Sequence, residues 1–189
     1  IYRLSSGSWS FLQKIQASDP AASAYFGGAT SISGDYIIVG AYGLSSNTGA
    51  AYIFKRLPAG TYAQVQKLTA SDAASGDKFG KGASIEGNLA VIAAYEDNSN
   101  AGSVYVFQKT ADDVWRQVDK VTASDAAADD AFGYSLAISG TSFVAGALYE
   151  DPSSASGAGS AYFYDLVASE EATQRIAQLQ PPFSYLTPG

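Results

Sequence analysis

The side chains of this chain able to do chemistry are carboxylates, tyrosines and lysines, because its 189 residues include no His and no Cys. Losing His removes the commonest general base and metal ligand. Losing Cys removes disulfides, thiol nucleophiles and thiolate metal sites. The carboxylates concentrate in short polar segments, chiefly Glu96-Asp97-Asn98, Asp129-Asp130 and Glu150-Asp151. A calcium ion wants six to eight oxygen ligands, and the Glu96-Asp97-Asn98 triplet is not reproduced elsewhere, so no metal is assigned. Paired carboxylates can cleave glycosides, but adjacent residues on one loop are poor candidates for flanking a bond. No nucleophile motif and no cofactor fingerprint is present. The chain therefore reads as a non-enzyme without a cofactor. Tyr42 and Tyr95 could stack on a sugar ring, with packing as the competing role. The candidate ligand-binding residues are Tyr42, Tyr95, Glu96, Asp97, Asn98, Glu150 and Asp151.

What positions these residues is a repeat. Ala17-Ser18-Asp19 returns as Ala70-Ser71-Asp72 and Ala123-Ser124-Asp125, a step of 53 residues. Phe26-Gly27, Phe79-Gly80 and Phe132-Gly133 keep that step, as do Gly34, Gly87 and Gly140. Trp9, Tyr62 and Trp115 keep it too, and so do Lys14, Lys67 and Lys120. A period of this length means a solenoid, a propeller or an array of small units.

The second repeat shows four strands, A to D. Ala83–Glu86 ends at the turn Gly87-Asn88, and Leu89–Ala94 is an apolar run of the kind buried on both faces. After the acidic segment come Ser103–Phe107 and Arg116–Val121, bounded by Gly, Asn, Asp and Ser clusters. An antiparallel four-stranded unit repeated several times predicts an all-β, β-propeller-type array of blades. Phe26, Phe79 and Phe132 are expected to be buried between blades, with Gly27, Gly80 and Gly133 permitting close backbone approach. The three lysines read as protection of an outer edge, the aromatics Trp9, Tyr62 and Trp115 as covers for blade edges, and Ser-Asp as a fastening before strand A.

Together, an aromatic, a Lys-bearing strand, Ala-Ser-Asp, Phe-Gly, a Gly turn, a Gly-Ala segment (Gly40-Ala41-Tyr42, Gly146-Ala147) and a closing Ala-Tyr-Ile-Phe resemble the FG-GAP repeat. That resemblance covers residues 9–164. It implies the blades of integrin α-type propellers in a microbial or algal variant, with Tyr42, Tyr95 and Leu148 where the integrin pattern has Pro. It implies an extracellular or cell-surface adhesion module with ligands on one loop face. The family's calcium loop between strands A and B is not carried over, because only Gly34-Asp35, Gly87-Asn88 and Gly140-Thr141 stand there.

The register divides the chain into strands of an upstream blade (1–16), blades at 17–69, 70–122 and 123–180, and an extended tail (181–189). Trp9–Gln16 is expected to be the upstream blade's D strand. Residues 169–180 fit either a degenerate D strand or a short helix capped by Ser169. Three blades do not make a ring of about 4 to 8, so the remaining blades of a larger chain or self-association is expected. D–A and B–C loops share one face, which collects Asp19, Asp72, Asp77, Asp125, Asp129, Asp130, Glu96, Asp97, Glu150 and Asp151 and is expected to be acidic. With 18 acidic against 11 basic residues, nucleic acid is excluded as a partner, and no apolar run reaches the ~18 residues of a membrane span. Two readings of the partner stay open: a scaffold presenting loops to protein or polymer, and a carbohydrate-binding propeller. An enzyme whose catalytic residues lie elsewhere in a parent chain is a third.

Overall fold

The computed structural model describes residues 1–151 and 157–166. An N-terminal hairpin of β1 (Tyr2–Ser5) and β2 (Ser8–Phe11) is followed by two complete four-stranded antiparallel sheets. Blade 1 has β3 (Ala29–Ser33), β4 (Tyr36–Ala41), β5 (Ala50–Arg56) and β6 (Tyr62–Leu68), paired in chain order. Blade 2 repeats this with β7 (Gly82–Glu86), β8 (Leu89–Ala94), β9 (Ser103–Lys109) and β10 (Trp115–Val121). Blade 3 contributes β11 (Phe132–Ser139), β12 (Ser142–Ala147) and β13 (Ser160–Asp165). The strand-or-helix question at 169–180 and the extended tail lie outside the described residues.

Each A–B connection is a two-residue hairpin, closing Ser33 on Tyr36, Glu86 on Leu89 and Ser139 on Ser142. Gly34, Gly87 and Gly140 occupy its first position at φ 53–60°, the place where a type II′ turn needs glycine. The second strand of each full blade is the most enclosed. β4 is buried throughout and β8 nearly so, as expected of a strand covered on both faces.

Sheets pack face to face through two shared cores. Ile38, Ala51 and Ile53 of blade 1 meet Phe79, Ile85, Ile92, Tyr105 and Phe107 of blade 2. The other face of blade 2, Val91, Val104 and Val106, meets Phe132, Phe143 and Ala145 of blade 3. Alternating side chains of one strand thus feed two different cores.

Backbone contacts fasten the blades as well. Phe79 pairs with Gly49 in a parallel bridge, and Phe132 N–H donates to Ala101 O at 3.0 Å. A Cβ on Gly80 would sit 2.3 Å from Ala50 O, and one on Gly40 would sit 1.9 Å from Gly80 O. Only glycine fits this approach. Gln13 clasps the main chain of Tyr62, its amide donating to Tyr62 O (2.8 Å) and accepting from Tyr62 N–H (2.7 Å). Gln66 repeats the clasp on Trp115 in the next blade.

Several expectations need correction. The upstream D strand is shorter than Trp9–Gln16. β2 stops at Phe11, because Leu12 and Gln13 N–H both turn onto Ile1 O and Gln13 leaves to clasp Tyr62. Phe79 and Phe132 are fully buried, but Phe26 is only half-buried, since the side facing it carries just the first hairpin's flank, Ile1 and Ile15. The aromatic trio is not uniform either. Trp115 is buried edge-on against Tyr36, whereas Trp9 is 69% exposed.

Candidate functional site

The D–A and B–C loops share one face, as the antiparallel topology requires, and their carboxylates are tied to partners rather than free. Tyr52, Tyr105 and Tyr162, one in each C strand, donate to Asp19 (2.7 Å), Asp72 (2.8 Å) and Asp125 (2.7 Å). Lys67 and Lys120 pair with Asp19 and Asp72, both at 2.6 Å. These two lysines are therefore ion-pair partners, not edge guards. Gln64 holds Ser18 by accepting from its N–H and donating to its Oγ, both at 2.9 Å, and Gln117 holds Ser71 identically. The Ser-Asp pair is thereby bolted to its own blade's D strand by side-chain bonds 46 to 48 residues apart in sequence.

The protonation states follow. Hydrogen bonds from Lys67 and Tyr52 hold Asp19 below the usual carboxylate value. Burial pushes Asp72 upward, but Lys120 and Tyr105 outweigh it and its pKa is lowered. Burial and then the aspartate partner raise Tyr52 and Tyr162. Burial would lower Lys120, yet bonds to Asp72, Asp97 and Tyr105 raise it. Buried Asp77 moves the other way, raised by desolvation although Ala74 N–H donates to it at 2.6 Å.

The B–C loops make an unusual backbone. Ser45, Ser46 and Asn47 are left-handed at φ 52°, 59° and 63°, and Asn98, Ser99 and Asn100 repeat this at 53°, 60° and 63°. Consecutive left-handed L-residues are costly, so something must hold them. Asn47 O accepts from Lys78 N–H at 2.7 Å, and Asn100 O accepts from Ala131 N–H at 2.8 Å. Each loop is a hook that captures the next blade just before its Phe-Gly.

Among the sequence candidates, Glu96 pairs with Lys78 (2.6 Å), whose ammonium also donates to Tyr95 Oη (3.1 Å). Asp97 receives Ser103 Oγ and Lys120, both at 2.6 Å. Asn98 opens the left-handed turn. Buried Glu150 accepts from Ser160, and Asp151 from Gly157 N–H. The expected acidic face is thus largely neutralised locally in blade 2.

The tyrosines lead to residues the sequence reading missed. Tyr42 stacks on Tyr25 (5.0 Å, 14°), and Tyr95 meets Tyr134 edge-on at 5.5 Å. Lys81 joins the two pairs, its ammonium 5.7 Å from the Tyr42 ring and 5.1 Å from the Tyr134 ring. One continuous row, Tyr25–Tyr42–Lys81–Tyr134–Tyr95, therefore crosses three blades. A signal was available: Gly28, Lys81 and Tyr134 occupy one register position just after Phe-Gly, where the residue changes character at each repeat.

On the opposite face, where A–B and C–D turns emerge, Asp113 accepts from Tyr36 and pairs with Lys55 (2.5 Å) and Lys109 (3.4 Å). This knot links blades 1 and 2 and shows no open coordination. Among the described residues no group of three or more His, Cys, Asp or Glu is arranged to hold a metal ion, and no helix is long and apolar enough to cross a membrane.

No curated protein matches the chain significantly. The FG-GAP repeat family matches three times, over residues 9–54, 62–107 and 115–164, each match running from β2, β6 or β10 through the first three strands of the next sheet. With most of its length matched in register by that one repeat, the chain belongs to the FG-GAP repeat family.

Proposed function

We propose that this chain is a non-catalytic, extracellular adhesion or scaffold module that presents its D–A and B–C loop face to a protein or polymer partner. The observation that carries the reading is the rigidity of that face. In blades 1 and 2, left-handed hooks and Tyr–Asp–Lys ties fix the loops to a neighbouring strand or blade, which suits display on a rigid scaffold. FG-GAP propellers are generally non-catalytic and occur typically in extracellular proteins, which agrees with this reading. The test is retention of the chain on a panel of extracellular proteins and polysaccharides. Retention should be lost in a Tyr42→Ala, Tyr95→Ala double variant and kept in Asp112→Ala on the opposite face. Equal loss in both variants, or no retention on any surface, would overturn it.

Self-association belongs to the same proposal. Val144 and Phe163 of blade 3 are 43% and 68% exposed, whereas Val91 and Val106, their counterparts in blade 2, are covered by blade 3. Light scattering on dilution tests it, and a compact monomer at low concentration would refute it. A second reading, a carbohydrate-binding propeller, is favoured by the tyrosine row.

A further inference from the structure

Lys81, a half-buried residue, differs from the other lysines on its face. Lys67, Lys78 and Lys120 each meet a carboxylate at 2.6 Å, whereas Lys81 makes no hydrogen bond or ion pair through its ammonium among the described residues. It has only the rings of Tyr42 and Tyr134. The hydroxyls of Tyr25, Tyr42 and Tyr134 likewise make no hydrogen bond among the described residues, and Tyr25 and Tyr134 are 56% and 38% exposed. A cation lacking an anion, flanked by flat apolar rings with open hydroxyl groups, is chemically complementary to a sugar that carries a carboxylate. The rings would stack on the C–H faces of pyranoses, and the ammonium would receive a charge-assisted hydrogen bond.

We propose that Lys81, with Tyr42 and Tyr134 on either side and Tyr25 and Tyr95 extending the row, binds a uronic-acid residue within an otherwise neutral glycan. The inference rests on the carbohydrate reading above and specifies its substrate class. The glycan must carry isolated rather than dense charge. The chain carries a formal net charge of −7, so a dense polyanion would be repelled by the molecule as a whole. One carboxylate meeting one unpaired ammonium avoids that. An acidic peptide offers the charge but not the flat C–H faces that the row of rings matches.

The probe is xylotetraose bearing a single glucuronosyl branch, compared by calorimetry with its methyl ester and with unbranched xylotetraose. The wild-type chain should bind the free acid about tenfold more tightly than the methyl ester, the loss expected for one charge-assisted bond. Lys81→Met should bind the free acid and its methyl ester alike, and Lys81→Arg should keep the preference for the acid. The ester comparison uses only the wild-type chain, so it decides the matter even if Lys81→Met folds poorly. Equal binding of acid and ester would overturn the Lys81 assignment and leave the carbohydrate reading standing. No binding of any of the three would overturn both. An Asp/Glu-rich peptide displacing the free acid with equal affinity would overturn the glycan class in favour of an acidic protein partner.

Discussion

Replacing Phe79 by alanine removes a ring that is fully enclosed, edge-on to Tyr105 at 5.4 Å and to Phe107 at 6.2 Å. Its own main chain is pinned to Gly49 and Thr48 of blade 1, so the backbone cannot settle into the space left behind. Transfer of the ring to water accounts for roughly 1.5–3 kcal/mol, and the uncollapsed cavity brings the loss to about 3–5 kcal/mol. Phe26 supplies the internal control. It sits at the same register position, with matching contacts to Tyr52 and Phe54 at 5.7 and 6.0 Å, but is half-buried. Phe26→Ala should cost only about 1–2 kcal/mol, because part of the ring is already wet and no closed cavity forms. Urea unfolding followed by tryptophan emission reads the difference, since Trp115 lies buried at the blade 1–2 contact and Trp9 is already exposed. Equal slopes with denaturant must be confirmed first, because repeat arrays can unfold in stages. A Phe79→Ala loss under about 1 kcal/mol, or one no larger than that of Phe26→Ala, would refute the argument from burial.

Three further outcomes are expected. Gly80→Ala, at φ +92° and with its Cβ 2.3 Å from Ala50 O, should cost more than about 2 kcal/mol, whereas Gly76→Ala, at φ +99° in open space, should cost only the backbone strain of about 1–2 kcal/mol; thermal melts of the two variants compare them. Hydrogen bonds from Lys55 and Tyr36 depress Asp113 from 3.8 to about 2, so its stabilisation is complete above 3.8 and is lost as the pH falls toward 2. Acid denaturation of Asp113→Asn should therefore be flatter across that window, and an unchanged acid limb would count against the knot. Finally, EDTA should leave the melting temperature unchanged, because two-residue A–B turns cannot supply a calcium cage; a large drop would point to the acidic B–C loops.

The strands were legible because their local signals and the repeat agreed. The inner strand at Leu89–Ala94 and the strand from Ser103 follow from apolar runs between turn clusters, and the strand read from Arg116, which begins one residue earlier at Trp115, follows from alternation. The role of Lys67 and Lys120 was not legible, and the reason is a bulge. Val65 is the extra residue where Ile53 pairs with Gln66 and Phe54 with Gln64, and Val118 repeats it. A bulge shifts the alternation of faces by one residue, so counting by twos along strand D points its lysines the wrong way. The left-handed hooks were equally hidden. Ser45-Ser46-Asn47 contains no glycine to announce positive φ, and the bonds that hold it come from Lys78 and Phe79 in the next blade.

A repeat also separates frame from content in a way a single domain cannot. Phe-Gly recurs because every blade must meet its neighbour, and the A–B glycine and the Tyr–Asp bond recur because every blade must close its own turn and fasten its own entry loop. Positions that change inside that frame are released from the constraint, and their changes come in matched sets. At one such pair blade 1 has buried Leu44 and Ala50, blade 2 has Asp97 and Ser103, and blade 3 has Glu150 and Ser160. A buried carboxylate without a donor is costly, so the acid and the serine must arrive together, and in both blades the serine donates to the acid. Lys81 and Tyr134 break this rule of closure. They replace Gly28 of blade 1, yet among the described residues the ammonium gains rings and no anion. A polar group introduced into a self-satisfying frame, and left without a counter-charge by the described residues, is what makes this position the one where a uronate partner is proposed.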